Sequence, residues 1–184
     1  MNSISSRSAP VIETERLILR PHRLDDFDAY AVMWADPVVT RFIGGRPRTR
    51  EESWIRFLRH FGMWSLLGYG FWAVEDKASG DFIGEAGFHD LKRDMAPSIE
   101  GIPEAGWGLV ASAHGKGLAT EVVRWMLAWG DEALGDAKTV CIIDPDHAGS
   151  IRVATKCGYR EVLRTAYHDA ATVLFERHSP FSAD

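Results

Sequence analysis

Cysteine is scarce in this sequence, apolar runs are short, and no segment is strongly basic. Two cysteines, Cys141 and Cys157, among 184 residues do not make a disulfide framework, and they lack metal-type spacing. The seven histidines include no pair four residues apart with a glutamate between them, so the helix-borne zinc motif is missing and no metal is expected. No window approaches the roughly 20 apolar residues of a membrane-spanning helix. The opening MNSISSRSA has no apolar stretch of the signal-peptide kind. A soluble, cytoplasmic protein without a membrane partner is expected. Lys plus Arg number 21 against 26 Asp plus Glu, for a net charge of −5. No basic run is interleaved with aromatics, so nucleic acid is excluded as a default partner. The acidic balance favours a neutral or cationic ligand. Internal repeats and low-complexity segments are absent as well.

What is present is an apolar content of 46% in a 184-residue chain, enough for one domain with a real core. That domain is expected over residues 11–178, with a flexible tail at 1–10 and another at 179–184. RLILR (16–20) reads as a strand closed by Pro21, and Leu24 to Trp34 as a helix with acids in its first turn. Asp36-Pro37 breaks the pattern. Thr49 and Glu52 form a capping box for a helix carrying Trp54, Phe57 and Phe61. GFWAVED (70–76) and DFIGEAGF (81–88) read as a hairpin. Glu104 to Val110 and KTVCII (138–143) are two more strands with a helix between them. A short helix over 149–156 stops at Gly158, and YREVLRT and ATVLFERH close the chain as strands.

The junction EAGWGLVASAHGKGLATEVV carries the most information. An apolar strand ends in a Gly-Lys-Gly turn, and Leu118, Val122, Val123, Met126 and Leu127 then recur at helical spacing. A strand, a glycine turn and a helix in succession expose backbone N–H groups at a helix N-terminus, which suits a phosphate. A Walker loop is excluded, because Lys116 is followed by Gly117 and Val110 stands where its first glycine belongs. A dinucleotide fingerprint over Gly106 to Ala111 would lie inside the strand rather than after it.

With these residues in view, the stretch resembles the strand-loop-helix of the GNAT superfamily of acetyl-coenzyme A-dependent N-acetyltransferases. Its loop is written Gln/Arg-x-x-Gly-x-Gly/Ala, and His114, Gly117 and Ala119 hold the fixed positions. DPDHAGSIRVATKCGY (144–159) resembles the family's next block, and IETERLILRPHRLDD resembles the opening of the branch containing ribosomal-protein N-terminal acetyltransferases. The resemblance runs in order from about residue 12 to 177. It implies an α/β (α+β) fold: a mixed, mostly antiparallel twisted sheet of six to seven strands, about four helices, and one splayed strand pair. It also implies acetyl-CoA as acyl donor, with the pyrophosphate on His114, Gly115, Lys116, Gly117, Leu118, Ala119 and Thr120. Pantetheine would lie along Leu109, Val110 and Ala111, with a backbone N–H near Val110 on the thioester carbonyl. Gly106 and Gly108 are compatible with a bulge in that strand.

The catalytic expectations are Glu104 as general base, at the family's Glu-x-Gly position, and Ser150 as a hydrogen-bond donor to sulfur or pantetheine. Glu104 as a loop cap is an equal alternative, and Glu85 is a second candidate carboxylate. The tyrosine that many members place two residues before the block's lysine is replaced by Ala154. His147 stands where this branch often has Asn, and either contacts the cofactor or is solvated. The expected activity is acetyl transfer to a primary amine, with a protein N-terminus as the leading acceptor and a polyamine or amino sugar as the alternative. A non-catalytic acyl-CoA sensor is the rival from another class. A monomer or a homodimer is expected.

Overall fold

The computed structural model describes residues 8–135 and 138–180. Its elements run β1 (Ile12–Glu13), β2 (Leu17–Arg20), α1 (Phe27–Ala35), α2 (Pro37–Thr40), α3 (Arg50–Leu67), β3 (Phe71–Asp76), β4 (Phe82–His89), β5 (Glu104–Leu109), α4 (Leu118–Ala133), β6 (Thr139–Ile143), α5 (Ala148–Lys156), β7 (Arg160–Tyr167) and β8 (Ala170–Arg177). Eight strands form one sheet in the order β1-β2-β3-β4-β5-β6-β8-β7. All neighbours are antiparallel except β5 and β6, which are joined through α4. The fold is the expected mostly antiparallel α/β architecture. The strand count exceeds six to seven through the two-residue β1, and the fifth helix is the four-residue α2.

The added helix has a local cause. Asp36 ends α1 and starts α2 at once: its side chain accepts from the Val38 N–H at 2.8 Å, and Pro37 follows at the first helical position, where its missing N–H costs nothing. The expected capping box at α3 is present, with Thr49 Oγ1 accepting from Glu52 N–H at 3.2 Å and Glu52 Oε2 from Thr49 N–H at 2.9 Å. At the amino terminus the packing starts earlier than expected. Ala9 is buried, and Trp72 Nε1 donates to the Pro10 carbonyl at 2.8 Å, so residues 8–10 do not behave as a tail. Residues 1–7 and 181–184 of the expected tails lie outside the described residues.

The sheet separates two cores. On one face Trp72 and Val74 of β3, Ala86 and Phe88 of β4 and Ala105 of β5 meet Val122, Val123, Met126 and Leu127 of α4. Each buried Val, Leu, Met or Phe side chain contributes roughly 1.5–3 kcal/mol, and this is why the amphipathic α4 docks where it does. On the other face Tyr30, Met33, Trp34, Val39 and Phe57, from α1 to α3, form a second cluster. The strands alternate to match: Glu85 and Gly87 of β4 and Gly106 and Gly108 of β5 point toward α1–α3.

The site arises from one irregularity. β4 and β5 pair without interruption from Gly84↔Leu109 to His89↔Glu104; the expected bulge in β5 is therefore not there, and its glycines serve the face toward α1–α3 instead. β5 and β6, in contrast, share one register pair, Glu104↔Val140. Beyond it the strands diverge, and the ends of α4 and α5 flank the gap.

Candidate active site

A cleft of about 750 Å³ opens where β5 and β6 part. Leu109, the turn from His114 into α4, the start of α5 and the α2 segment with Phe42 and Ile43 all face it. No carboxylate lines it among the described residues.

The turn is built to present main-chain donors. Gly115 and Gly117 have φ of +74° and +79°, a left-handed conformation that costs an L side chain roughly 1–2 kcal/mol. A Cβ on Gly115 would meet nothing within 4 Å, so the turn's outer surface is open. Gly117 caps α4 with no side chain, and the first in-helix acceptor bond is from Glu121 N–H to Gly117 O at 3.1 Å. The N–H groups of Leu118, Ala119 and Thr120 are thus left facing the cleft at the positive end of a 16-residue helix, an arrangement that fits a phosphate. Arg16 braces the turn: its Nη1 donates to the Lys116 carbonyl at 3.0 Å while its Nε holds Glu121 Oε2 at 2.7 Å. Lys116 contributes its backbone to this brace, and its side chain does not line the cleft.

Strand parity decides which β5 groups face the gap. Val110 N–H donates to Ile83 O at 2.9 Å, so the residues at 104, 106, 108 and 110 bond toward β4. The Val110 N–H itself is therefore engaged, which leaves its neighbours for the donor expected near Val110. Trp107 and Leu109 point their N–H and C=O groups toward the splay, and they are the main-chain groups available to pantetheine and to a thioester carbonyl. The Leu109 carbonyl accepts from His114 Nε2 at 2.9 Å, which ties the loop to the strand end. Neither Val110 nor Ala111 lines the cleft: Val110 packs into both cores and Ala111 begins a 3₁₀ turn.

Leu109, His114, Gly115, Gly117, Leu118, Ala119, Thr120, His147 and Ser150 are brought together around the cleft. His147 stacks on Phe42, with ring centroids 4.5 Å apart and planes at 19°, and burial lowers its pKa. The ring therefore joins α5 to the α2 segment rather than being solvated. Ser150 sits half-buried in the first turn of α5.

Glu104 is not in that company. Arg93 grips it with Nε at 2.6 Å and Nη2 at 2.8 Å, and His89 Nε2 lies 3.1 Å away. Although burial alone would raise its pKa, these partners hold the carboxyl down to about 2. It lies at the closed end of the splay, beside the one β5–β6 pair. A general base needs free lone pairs near the reacting amine; Glu104 instead locks the strand junction. Glu85 does face α1–α3, opposite Gly108, but it is fully buried. His60 at 2.8 Å and Arg56 at 2.9 Å hold it well below the usual carboxylate range, against burial. Tyr159 is equally sequestered, its hydroxyl 2.9 Å from Thr139 Oγ1 and its pKa raised by burial. Cys141 and Cys157 are free and buried, with thiol pKa values raised by burial, which does not suit nucleophiles.

His22, His60 and Glu85 place ligand-type atoms within 4.8 Å of one another. The two imidazoles are stacked, however, with centroids 4.3 Å apart and planes 7° from parallel. Nitrogen lone pairs lie in the ring planes, so two stacked rings do not converge on one ion.

The residues that sequence reading missed belong to the opposite wall. A Cβ on Gly108 would meet Trp34 Cη2 at 3.7 Å and Ile43 Cδ1 at 3.9 Å, which puts α1 and the α2 segment directly over the strand. The Asp36-Pro37 pair was the available signal, since it is a helix start as well as a helix stop.

The acetyltransferase (GNAT) domain model matches residues 16–160. The chain is 27% identical over 166 residues to "Uncharacterized N-acetyltransferase YoaA" of Bacillus subtilis (strain 168), covering 89% of this chain and 91% of that one. A structure described as a GNAT-family acetyltransferase from Bordetella pertussis superposes with a TM-score of 0.81 at 32% identity, over 92% of this chain and 99% of that one. Two more distant structures share the fold. The ribosomal-protein-S5-alanine acetyltransferase of Vibrio fischeri has a TM-score of 0.70 at 16% identity, covering 96% of this chain and all of that one. The spermidine N-acetyltransferase of Vibrio cholerae, in complex with CoA and spermine, has a TM-score of 0.70 at 14% identity, with 90% and 97% covered. With a family model over most of its length, the chain belongs to the GNAT acetyltransferases and is an acetyl-CoA-dependent acyltransferase.

Proposed function

We propose that the acceptor is a protein N-terminal α-amine, which attacks acetyl-CoA directly in a ternary complex. The observation that carries this reading is the lack of a carboxylate among the described residues lining the cleft. Without a strong base at the reacting atoms, the acceptor must supply its own neutral amine. An α-amino group, with a pKa of about 7.7–8.0, is substantially neutral near physiological pH, whereas a lysine-type amine near 10.4 is not. The distant likeness to a ribosomal-protein acetyltransferase supports the same acceptor, while the likeness to a spermidine enzyme supports the alkyl-amine alternative.

In this reading the uncapped start of α4 holds the pyrophosphate, and Trp107 and Leu109 pair with pantetheine. One of their N–H groups stabilises the developing oxyanion, Ser150 donates toward pantetheine or sulfur, and the amine proton leaves through water. Holding both substrates in the cleft supplies much of the rate. The test is thiol release from acetyl-CoA with short peptides and with alkyl amines of equal size, followed against pH. Turnover should follow the acceptor's own ionisation and favour the α-amine at pH 7. A preference for the alkyl amine at that pH would overturn the reading.

A further inference from the structure

Behind the cleft wall above Gly108, outside the residues that line the cleft, lies a surplus of positive charge and of unused donors. Trp34 is 1% exposed, and its Nε1 has no partner among the described residues. The Nε atoms of Arg48 and Arg56 are also buried and unpartnered there. Both guanidiniums lie on the Trp34 ring, with Cζ at 5.7 Å and 4.2 Å from its centroid. The far edge of the same ring borders Gly108, with Cη2 3.7 Å and Cζ2 3.8 Å from where its Cβ would sit. The cationic group is therefore one indole ring away from the strand along which the thioester would lie.

The surplus is real in charge as well as in hydrogen bonds. Arg46 is neutralised by Glu52 and Arg50 by Asp28. Glu85 is the carboxylate on Arg56, at 2.9 Å, and its other oxygen is turned to His60. Among the described residues, neither Arg48 nor Arg59 makes an ion pair with a carboxylate. Burial, and next the neighbouring Arg56, lower the pKa of both. Indole and guanidinium N–H groups are donors only, so water can satisfy them but an anion satisfies charge and donors together.

We propose that Trp34, Arg48 and Arg56 read a carboxylate a few bonds from the acceptor amine, so that the preferred acceptor is an N-terminus whose first residues are acidic. This rests on the α-amine reading above. It reverses the expectation drawn from net charge: the chain as a whole is acidic, yet the wall over its acceptor strand is cationic. It also speaks against polyamines, whose extra charges would meet guanidiniums.

Tetrapeptides that differ in their first two residues (Asp/Glu, Asn/Gln or Lys) are the probe, with free aspartate as a separate arm. The wild-type protein should show a KM for the acidic peptide at least about tenfold below its amide isostere, the scale of one charge-assisted hydrogen bond. In Arg48→Gln that ratio should fall toward one, and Arg48→Lys, which keeps charge but not the fork, should recover part of it. Equal KM values across the wild-type panel overturn the proposal while leaving α-amine acetylation intact. Free aspartate matching the acidic peptide overturns the N-terminus as the source and retains the carboxylate. Should no amine be turned over, the α-amine reading fails on its own. Calorimetric binding of the acidic peptide to the CoA-loaded protein then decides: binding weakened tenfold by Arg48→Gln upholds the donor cluster, and no binding overturns it.

Discussion

Arg93 holds both carboxylate oxygens of Glu104, at 2.6 and 2.8 Å, in a pair whose side chains are 15% and 5% exposed. This fork sits where β5 last touches β6, so it fixes the hinge of the splay. Glu104→Gln should cost stability rather than chemistry. Removing one partner of a buried pair costs about 3–5 kcal/mol, and the amide oxygen, which still accepts, brings the expectation to the lower end. Melting curves and turnover per folded molecule separate the cases. A variant that melts normally but loses 100-fold or more in rate would return Glu104 to the chemistry.

Gly117 is the cap through which α4 opens toward the cleft. Gly117→Ala should strain the +79° backbone by roughly 1–2 kcal/mol and leave CoA binding measurable. Gly117→Glu adds a negative charge where the pyrophosphate is expected, and CoA affinity should fall by about 100-fold or more. Calorimetric titration of both folded variants is the check. Equal affinities in the two would show that the charge does not face the ligand.

The legible parts of the fold were those written in local chemistry. The Thr49/Glu52 capping box, the apolar stripe of α4 and the 115/117 glycines each specify their structure within a few residues, and each is observed. The partners of Glu104 were not legible, because Arg93 and His89 reach it from other segments. Which N–H near Val110 faces the gap was not legible for a related reason. Which strand groups face the gap depends on β4–β5 register, and a one-residue slip reverses it. The wall of Trp34, Ile43 and Arg48 comes from helix packing across the sheet, which periodicity alone does not place.

Burial makes the fold sensitive to acid. His22 is held neutral, its pKa lowered to about 3 chiefly by burial and next by His60; Glu85, Asp26 and Arg20 are its other charged neighbours. The unfolded chain takes up a proton there below about 6.5, and the folded chain does not until far lower pH. Stability is therefore full above about 6.5 and falls as pH drops, by up to roughly 1.4 kcal/mol per pH unit for one proton. His89, also lowered by burial, acts in the same direction. Urea midpoints at pH 7, 6 and 5 should decline in the wild type and decline less steeply in His22→Asn. Parallel declines would remove His22 as the source.

His114 joins the phosphate turn to the reacting strand through its 2.9 Å bond to the Leu109 carbonyl. Because a carbonyl only accepts, Nε2 carries the hydrogen, and a glutamine amide can reproduce that donation. His114→Gln should therefore stay close to the parent in both acetyl-CoA KM and kcat. His114→Ala frees the carbonyl and unties the turn from Leu109, whose N–H faces the splay. Two effects then follow: the pyrophosphate cradle loosens, and the strand end that aligns the thioester gains freedom. Both KM and kcat should worsen, with a combined loss in kcat/KM of about tenfold, the scale of one hydrogen bond. An ionisable His114 acting as a base would behave differently, because glutamine cannot take a proton and His114→Gln would then be as damaged as His114→Ala. Steady-state kinetics of the two variants with one peptide acceptor, at pH 7 and pH 9, decide between these roles. Rescue by glutamine at both pH values establishes His114 as a positioning residue, and failure of that rescue at pH 7 assigns it to proton transfer.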